Sequence, residues 1–407
     1  MIKYKNLTVN SDEVYTNLFK IASNPDIIFD TQTITIKIAY MFKGIGDEGI
    51  DYAYTIKCIE KDGLKDDYID SLVDSINKKI VDFYDKNNYK ENSWTVFYLL
   101  KELIKQLTNP SHKVYNYFRG QNRGWPTVPS IFRDISLSPE KKGNFKHSKY
   151  YENFEAIYKA ISKRYPNEIQ YFEIPDPDRD DSSSLEDRAD QLAILQHYEL
   201  KTSLLDITEN PFIAMLFMAT TTKPEDIVFE PQLECYRLDY DSPLFYEAKK
   251  LENNKRIKVQ KGAFLNYDTL LQYFYAPKVT GNSDKFSEAE FKEIRIPRVI
   301  IKLQIDFDNM KKEFEEHCNS ESESSKSLEE SQDYGNSVSV ESDNTDGKKI
   351  RDIFDENNKI VEANADPFYK TITNELLKKL NEYNYYYDEL FPDLVDYIEK
   401  NINLNYS

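Results

Sequence analysis

Two clusters of polar residues in this chain have residue types and spacing that could support chemistry. The first is Tyr117-Phe118-Arg119-Gly120-Gln121. A guanidinium at the end of an apolar strand offers a rigid fork of donors that suits a phosphate or a carboxylate. The glycine behind it lets a ligand come close to the backbone. An internal ion pair would explain the same arginine equally well. The second cluster is Gln196-His197-Tyr198, followed after a turn by Leu204-Leu205-Asp206-Ile207-Thr208-Glu209-Asn210-Pro211. The macrodipole favours a cationic His197 in a last helical turn, and Asp206 could orient the imidazole as the third member of a relay does. A satisfied core histidine is the plainer reading. No GxSxG nucleophile motif accompanies the pair, which argues against a hydrolase triad.

Several elements must position these residues. Strict alternation over 33–40 and 52–58 predicts two half-buried strands, with Gly44, Gly46 and Gly49 in the loop of a hairpin. Helical spacing predicts helices over 67–84 and 93–107, the second capped by Ser93. A strand over 114–118 leads into Arg119, and a Pro-punctuated loop carries the chain to Ile131-Phe132-Arg133. Further helices are predicted over 149–164 and 185–198, with a polar loop over 175–184 between them. Asn210 and Pro211 are suited to the N-cap and first turn of the next helix. Strands are expected at 232–239 and 294–305, and helices at 366–383 and 391–402. Residues 319–349 are Ser, Glu, Asp and Asn with hardly an apolar side chain, which predicts a disordered acidic insertion.

Composition narrows the function. The chain has 407 residues, 40% hydrophobic and 14% aromatic, with a formal net charge of −18. That balance argues against broad binding of a nucleic-acid backbone, which needs clustered Lys and Arg. Cys58, Cys235 and Cys318 lack the spacing of a zinc site or a disulfide framework, and the four histidines show no HExxH pattern, so no metal centre is expected. The N-terminus has no apolar leader, and the longest apolar run, Phe212 to Ala219, is far too short to span a bilayer. A cytoplasmic protein without membrane contact is the expectation.

Read in order, Phe118-Arg119-Gly120-Gln121, Val128-Pro129-Ser130-Ile131-Phe132-Arg133, and Gln196-His197-Tyr198 with Leu204 to Pro211 resemble the FRG domain, named for its aromatic-Arg-Gly motif. Arg256-Ile257 with Gln260-Lys261-Gly262-Ala263-Phe264 resembles a later segment of that family, and Leu390-Phe391-Pro392-Asp393-Leu394 its closing helix start. The chain departs from the family pattern at Glu199, where glycine is common, at Lys201 for proline, at Ser203 for arginine and at Ile207 for tryptophan. The family occurs mostly in bacterial and phage-related proteins and has no assigned reaction. A strand ending aromatic-Arg-Gly also resembles the first catalytic strand of the Arg-Ser-Glu class of ADP-ribosyltransferases. That resemblance implies NAD as substrate, with Arg119 on the pyrophosphate, Tyr198 or Phe264 against the nicotinamide, and Asp206, Glu209 or Gln260 near the ribose. Neither a Ser-Thr-Ser strand nor an ExE turn is present.

The sequence therefore predicts an α+β fold: a small N-terminal unit over 1–88 and an FRG-type mixed-sheet domain over 89–402, with the acidic insertion inside it. His197, Asp206 and Gln260 are the candidate catalytic residues. Arg119, Gly120, Gln121 and Tyr198 are the candidate ligand-binding residues, and Arg119, His197 and Asp206 are expected to share one cleft. Two readings stay open. One is an ADP-ribosyltransferase-like, NAD-using effector with a toxin or antiphage role. The other is a non-catalytic module that recognises a nucleotide or a protein partner.

Overall fold

In the computed structural model the described residues lie between 15 and 390, leaving out 16–17, 20, 47–48, 88–94, 113, 134–148, 175–181, 222–224, 243, 248–254, 271–294, 313–352 and 356–358. The acidic insertion over 319–349 and the last expected helix, 391–402, fall outside them.

The fold is α+β, built on a mixed eight-stranded sheet of order β2-β1-β8-β5-β3-β4-β7-β6. Its strands are β1 (Phe29–Gly46), β2 (Gly49–Gly63), β3 (Tyr117–Gln121), β4 (Leu204–Thr208), β5 (Gln232–Tyr236), β6 (Phe245–Tyr246), β7 (Gly262–Asn266) and β8 (Ile296–Ile305). The pairing of β1 with β8 is parallel, and the other pairings are antiparallel. The N-terminal hairpin therefore continues the main sheet: Phe29 to Ile38 pair in register with Ile296 to Ile305. Gly44, Gly46 and Gly49, expected in a loop, sit inside the paired strands, because the ladder runs on to Gly46↔Gly49.

Alternation along each strand sends neighbouring side chains to opposite faces, and two cores result. On one face Ile34, Ile36, Phe118, Leu233 and Val299 pack with α1 (Asp67–Asn87), α2 (Val96–Leu107), α6 (Pro211–Ala219) and α8 (Glu362–Glu382). On the other, Tyr117, Tyr236, Leu205 and Ile207 pack with α4 (Phe154–Arg164) and α5 (Ser182–His197). The expected 149–164 helix is broken at Asn153 into α3 (Lys149–Glu152) and α4. Thr95 rather than Ser93 occupies the N-cap of α2, without a side-chain cap bond. Asn210 caps α6 as its residue type requires, its side chain accepting from the Phe212 N–H at 3.0 Å. The turn expected to precede this helix contains the whole of β4, so Asp206 lies within a strand. Strands β6 and β7 had no counterpart in the sequence reading.

Candidate functional site

Four short segments meet where β3, β4 and β7 lie side by side. Ser130, in the 3-10 turn Ser130–Phe132, binds the stretch that follows α5: its Oγ accepts from the Thr202 N–H at 3.0 Å, and the Ile131 N–H donates to the Thr202 carbonyl at 3.1 Å. Arg133 is fixed by its Nε, which donates to the Val128 carbonyl at 2.8 Å. From α5, Gln196 Nε2 donates to Asp206 Oδ2 at 2.8 Å while its Oε1 accepts from Thr202. Arg119 Nη1 donates to the backbone carbonyl of Asp206 at 2.8 Å. Asp206 is thus the hub, holding Arg119 by its main chain and Gln196 by its side chain.

These segments surround a cavity of about 350 Å³, a volume in the range of small-molecule sites. Arg119, His197, Asp206 and Gln260 all line it, together with α7 (Lys255–Gln260) and Phe264 of β7. The other three candidates lie elsewhere. Tyr198 is 72% exposed and is not part of the lining. Gln121 is buried and donates to Glu234 at 2.7 Å. Gly120 faces α6: a Cβ there would meet the Ala214 carbonyl oxygen at 1.7 Å. The glycine of the aromatic-Arg-Gly strand admits a helix rather than a ligand. Glu209, a candidate for the ribose side, lines a different and smaller cavity.

Sequence reasoning gave no role to Arg133, Lys201 or Arg256, which also line the cavity. With Arg119 they set four permanent cations against two carboxylates, Asp206 and Glu199. Burial, and then the like charge of Arg119, push the Arg133 guanidinium down to about 10. Arg119 Nε is itself buried and has no hydrogen-bond partner among the described residues. The arrangement can hold an anion: the Arg133 guanidinium, disfavoured by burial and by the charge of Arg119, gains when a phosphate or carboxylate comes between the two. Local spacing carries no signal for this set, since its members come from four segments more than 120 residues apart end to end.

Glu199 explains one departure from the family pattern. It stands just past the end of α5 at φ 63°, in the left-handed region, and the Leu200 N–H closes the helix on the Leu195 carbonyl at 3.0 Å. Such an end favours glycine. Glu199→Gly is expected to stabilise the fold by about 1 kcal/mol through relief of left-handed strain, read as a raised midpoint in urea. An unchanged or lower midpoint would show that Glu199 contributes interactions that outweigh the strain.

The class so defined is an α+β protein with a cationic cleft on one face of a mixed sheet. Residues 115–227 match the family model of the FRG domain, and the protein carries an FRG domain. The match covers Arg119, Arg133, Gln196, His197 and Asp206, whereas Arg256, Gln260 and Phe264 lie beyond it. No curated protein and no solved structure matches the chain. No described helix is long and apolar enough to cross a membrane, and among the described residues no group of three or more His, Cys, Asp or Glu could hold a metal ion.

Proposed function

We propose that the cavity binds a nucleotide through its phosphate groups, with Arg119 and Arg133 on the diphosphate, and that NAD is the ligand to test first. The single observation behind this is the crowding of the two guanidiniums at one cavity wall in a protein of net charge −18. A diphosphate neutralises both and supplies acceptors for the unsatisfied Arg119 Nε. Arg256 and Lys201 add to the anion-binding field, and Phe264 offers an aromatic face for a base or nicotinamide. In an ADP-ribosyltransferase-like reaction Asp206 would be the carboxylate nearest the ribose. A toxin or antiphage role would follow from NAD consumption.

A second reading, recognition without turnover, has an observation of its own. The polar groups expected to do chemistry are committed to scaffolding: Asp206 to Gln196 and Arg119, and the Gln260 amide to the Leu390 carbonyl at 3.1 Å. One experiment separates the two readings. NAD binding by calorimetry and nicotinamide release are measured on the wild type and on Arg119→Ala. Loss of a charge-assisted contact of about 1.5–3 kcal/mol should weaken binding roughly 10- to 100-fold. Release of nicotinamide, abolished in the variant, makes the protein an NAD-consuming enzyme. Binding without release makes it a recognition module. If the wild type binds neither NAD nor inorganic pyrophosphate, the nucleotide reading fails.

A further inference from the structure

A second cavity, of about 190 Å³, opens beside Tyr117 and is lined by Asn116, Tyr117, Glu209, Leu238, Tyr240 and Phe245. Three of these six are aromatic, and they form a corner. The Tyr117 and Phe245 rings lie 4.9 Å apart at 51°, and the Tyr240 and Phe245 rings 6.0 Å apart at 73°. The rings are steeply tilted, so they do not stack into one flat wall. Tyr240 is 86% exposed and forms the outer side.

Among the described residues the only charged one in the lining is Glu209, which accepts from the Tyr117 hydroxyl at 3.3 Å. No Lys or Arg among the described residues lines the cavity. The Asn116 amide is held by the backbone of Leu238, donating to its carbonyl at 2.7 Å and accepting from its N–H at 2.9 Å. Burial, then the negative charges of Glu209 and Glu247, push the Tyr117 hydroxyl well above its ordinary range. Glu209 and Glu247 thus both act on Tyr117 as negative charges. Aromatic faces and one carboxylate around a space too small for a nucleotide suit a compact, weakly hydrated cation, because ring quadrupoles attract positive charge and methyl groups fill the apolar corner.

We propose that this cavity is a binding site for a methylated ammonium group, with Tyr117, Tyr240 and Phe245 as its aromatic walls and Glu209 as its counter-charge. The site is independent of the cationic cavity and takes a ligand of opposite sign. Its test is calorimetric titration of the full chain with choline chloride, with a peptide bearing trimethyllysine, and with 3,3-dimethyl-1-butanol, the uncharged isostere of choline. At least one of the two cations should saturate the protein, and the isostere should bind about tenfold more weakly, or worse, for want of charge. Which cation binds more tightly tells whether the group is carried by a small molecule or by a protein. Tyr240→Ala, at an exposed position, should leave the melting temperature unchanged and weaken binding about threefold or more, and Glu209→Gln should weaken it likewise. Equal binding of the isostere, no saturation by either cation at millimolar concentration, or unaltered affinity in both variants would each overturn the proposal.

Discussion

Gly120→Ala is expected to prevent accumulation of the native fold. The added Cβ would sit 1.7 Å from the Ala214 carbonyl oxygen and 2.6 Å from the Met218 N–H nitrogen, both main-chain atoms of α6. No rotamer change relieves a clash with backbone, so β3 and α6 would have to separate. Helix α6 is almost wholly buried, with Ile213, Ala214, Met215, Leu216, Met218 and Ala219 in the larger core, and separation would open that core. Overpacking costs about 1–3 kcal/mol where side chains can yield, and a clash between two main-chain segments exceeds that range. Against a total stability of about 5–15 kcal/mol, most of the folded population is at risk. Soluble yield and the urea midpoint provide the measure, with Gly262→Ala as the control, since its nearest neighbour would be an Ile257 methyl at 3.7 Å. If Gly120→Ala folds with the wild-type midpoint, the close approach of strand and helix is wrong.

The second large effect is expected at Arg188, a fully buried arginine on the helix that carries Gln196 and His197 to the cavity. Its Nε donates to Asp268 at 2.9 Å, its Nη2 to Glu155 at 2.6 Å and to the Tyr15 hydroxyl at 2.9 Å, and its Nη1 to the Phe172 carbonyl at 2.6 Å. The network ties the N-terminal segment, α4, α5 and the turn after β7 together. Arg188→Met keeps the volume but leaves Asp268 and Glu155 without their cation. Breaking a buried pair in this way costs about 3–5 kcal/mol, read from denaturation at neutral pH. The loss should depend on pH. Burial alone would raise the Glu155 carboxyl, but the Arg188 charge, with hydrogen bonds from Arg188, Tyr171 and Tyr15, holds it below its ordinary value. A depressed carboxylate stabilises the fold above its unfolded pKa, and that contribution is lost as pH falls through the folded value. In Arg188→Met only the Tyr171 and Tyr15 hydrogen bonds still oppose burial, and Glu155 is protonated more readily. The gap between wild type and variant should therefore narrow as pH falls, starting above the ordinary carboxylate value of about 4.3, where the variant takes up its proton, and continuing below it, where the wild type loses its contribution. A gap that is constant with pH would mean that packing, not charge, accounts for Arg188.

Much of this protein is legible in its sequence because the information is local. Period-two alternation marks the β1 and β2 hairpin, helical spacing marks α1, and Asn210-Pro211 marks the start of α6 by the chemistry of a cap. The ordered motifs from Phe118 to Pro211 identify the FRG domain. Arg119, His197 and Asp206 were candidates from residue type and spacing, and Gln260 from the resemblance; all four line one cavity. Other features were decided only by tertiary structure. Strand β4 hides in the sequence because Leu204, Leu205 and Ile207 are buried with Thr208 while Asp206 alone is exposed, a pattern without clean alternation. The joining of β1 to β8 in parallel depends on a pairing 267 residues apart, which no window of sequence can register. The role of Gly120 follows from a helix that begins 91 residues later. The cationic wall exists only because folding brings Arg133 beside Arg119 and sets Arg256 and Lys201 around the same cavity. Charge and hydrogen-bonding partners are properties of distances in space, and spacing along the chain reports them only where the structure is helical or extended.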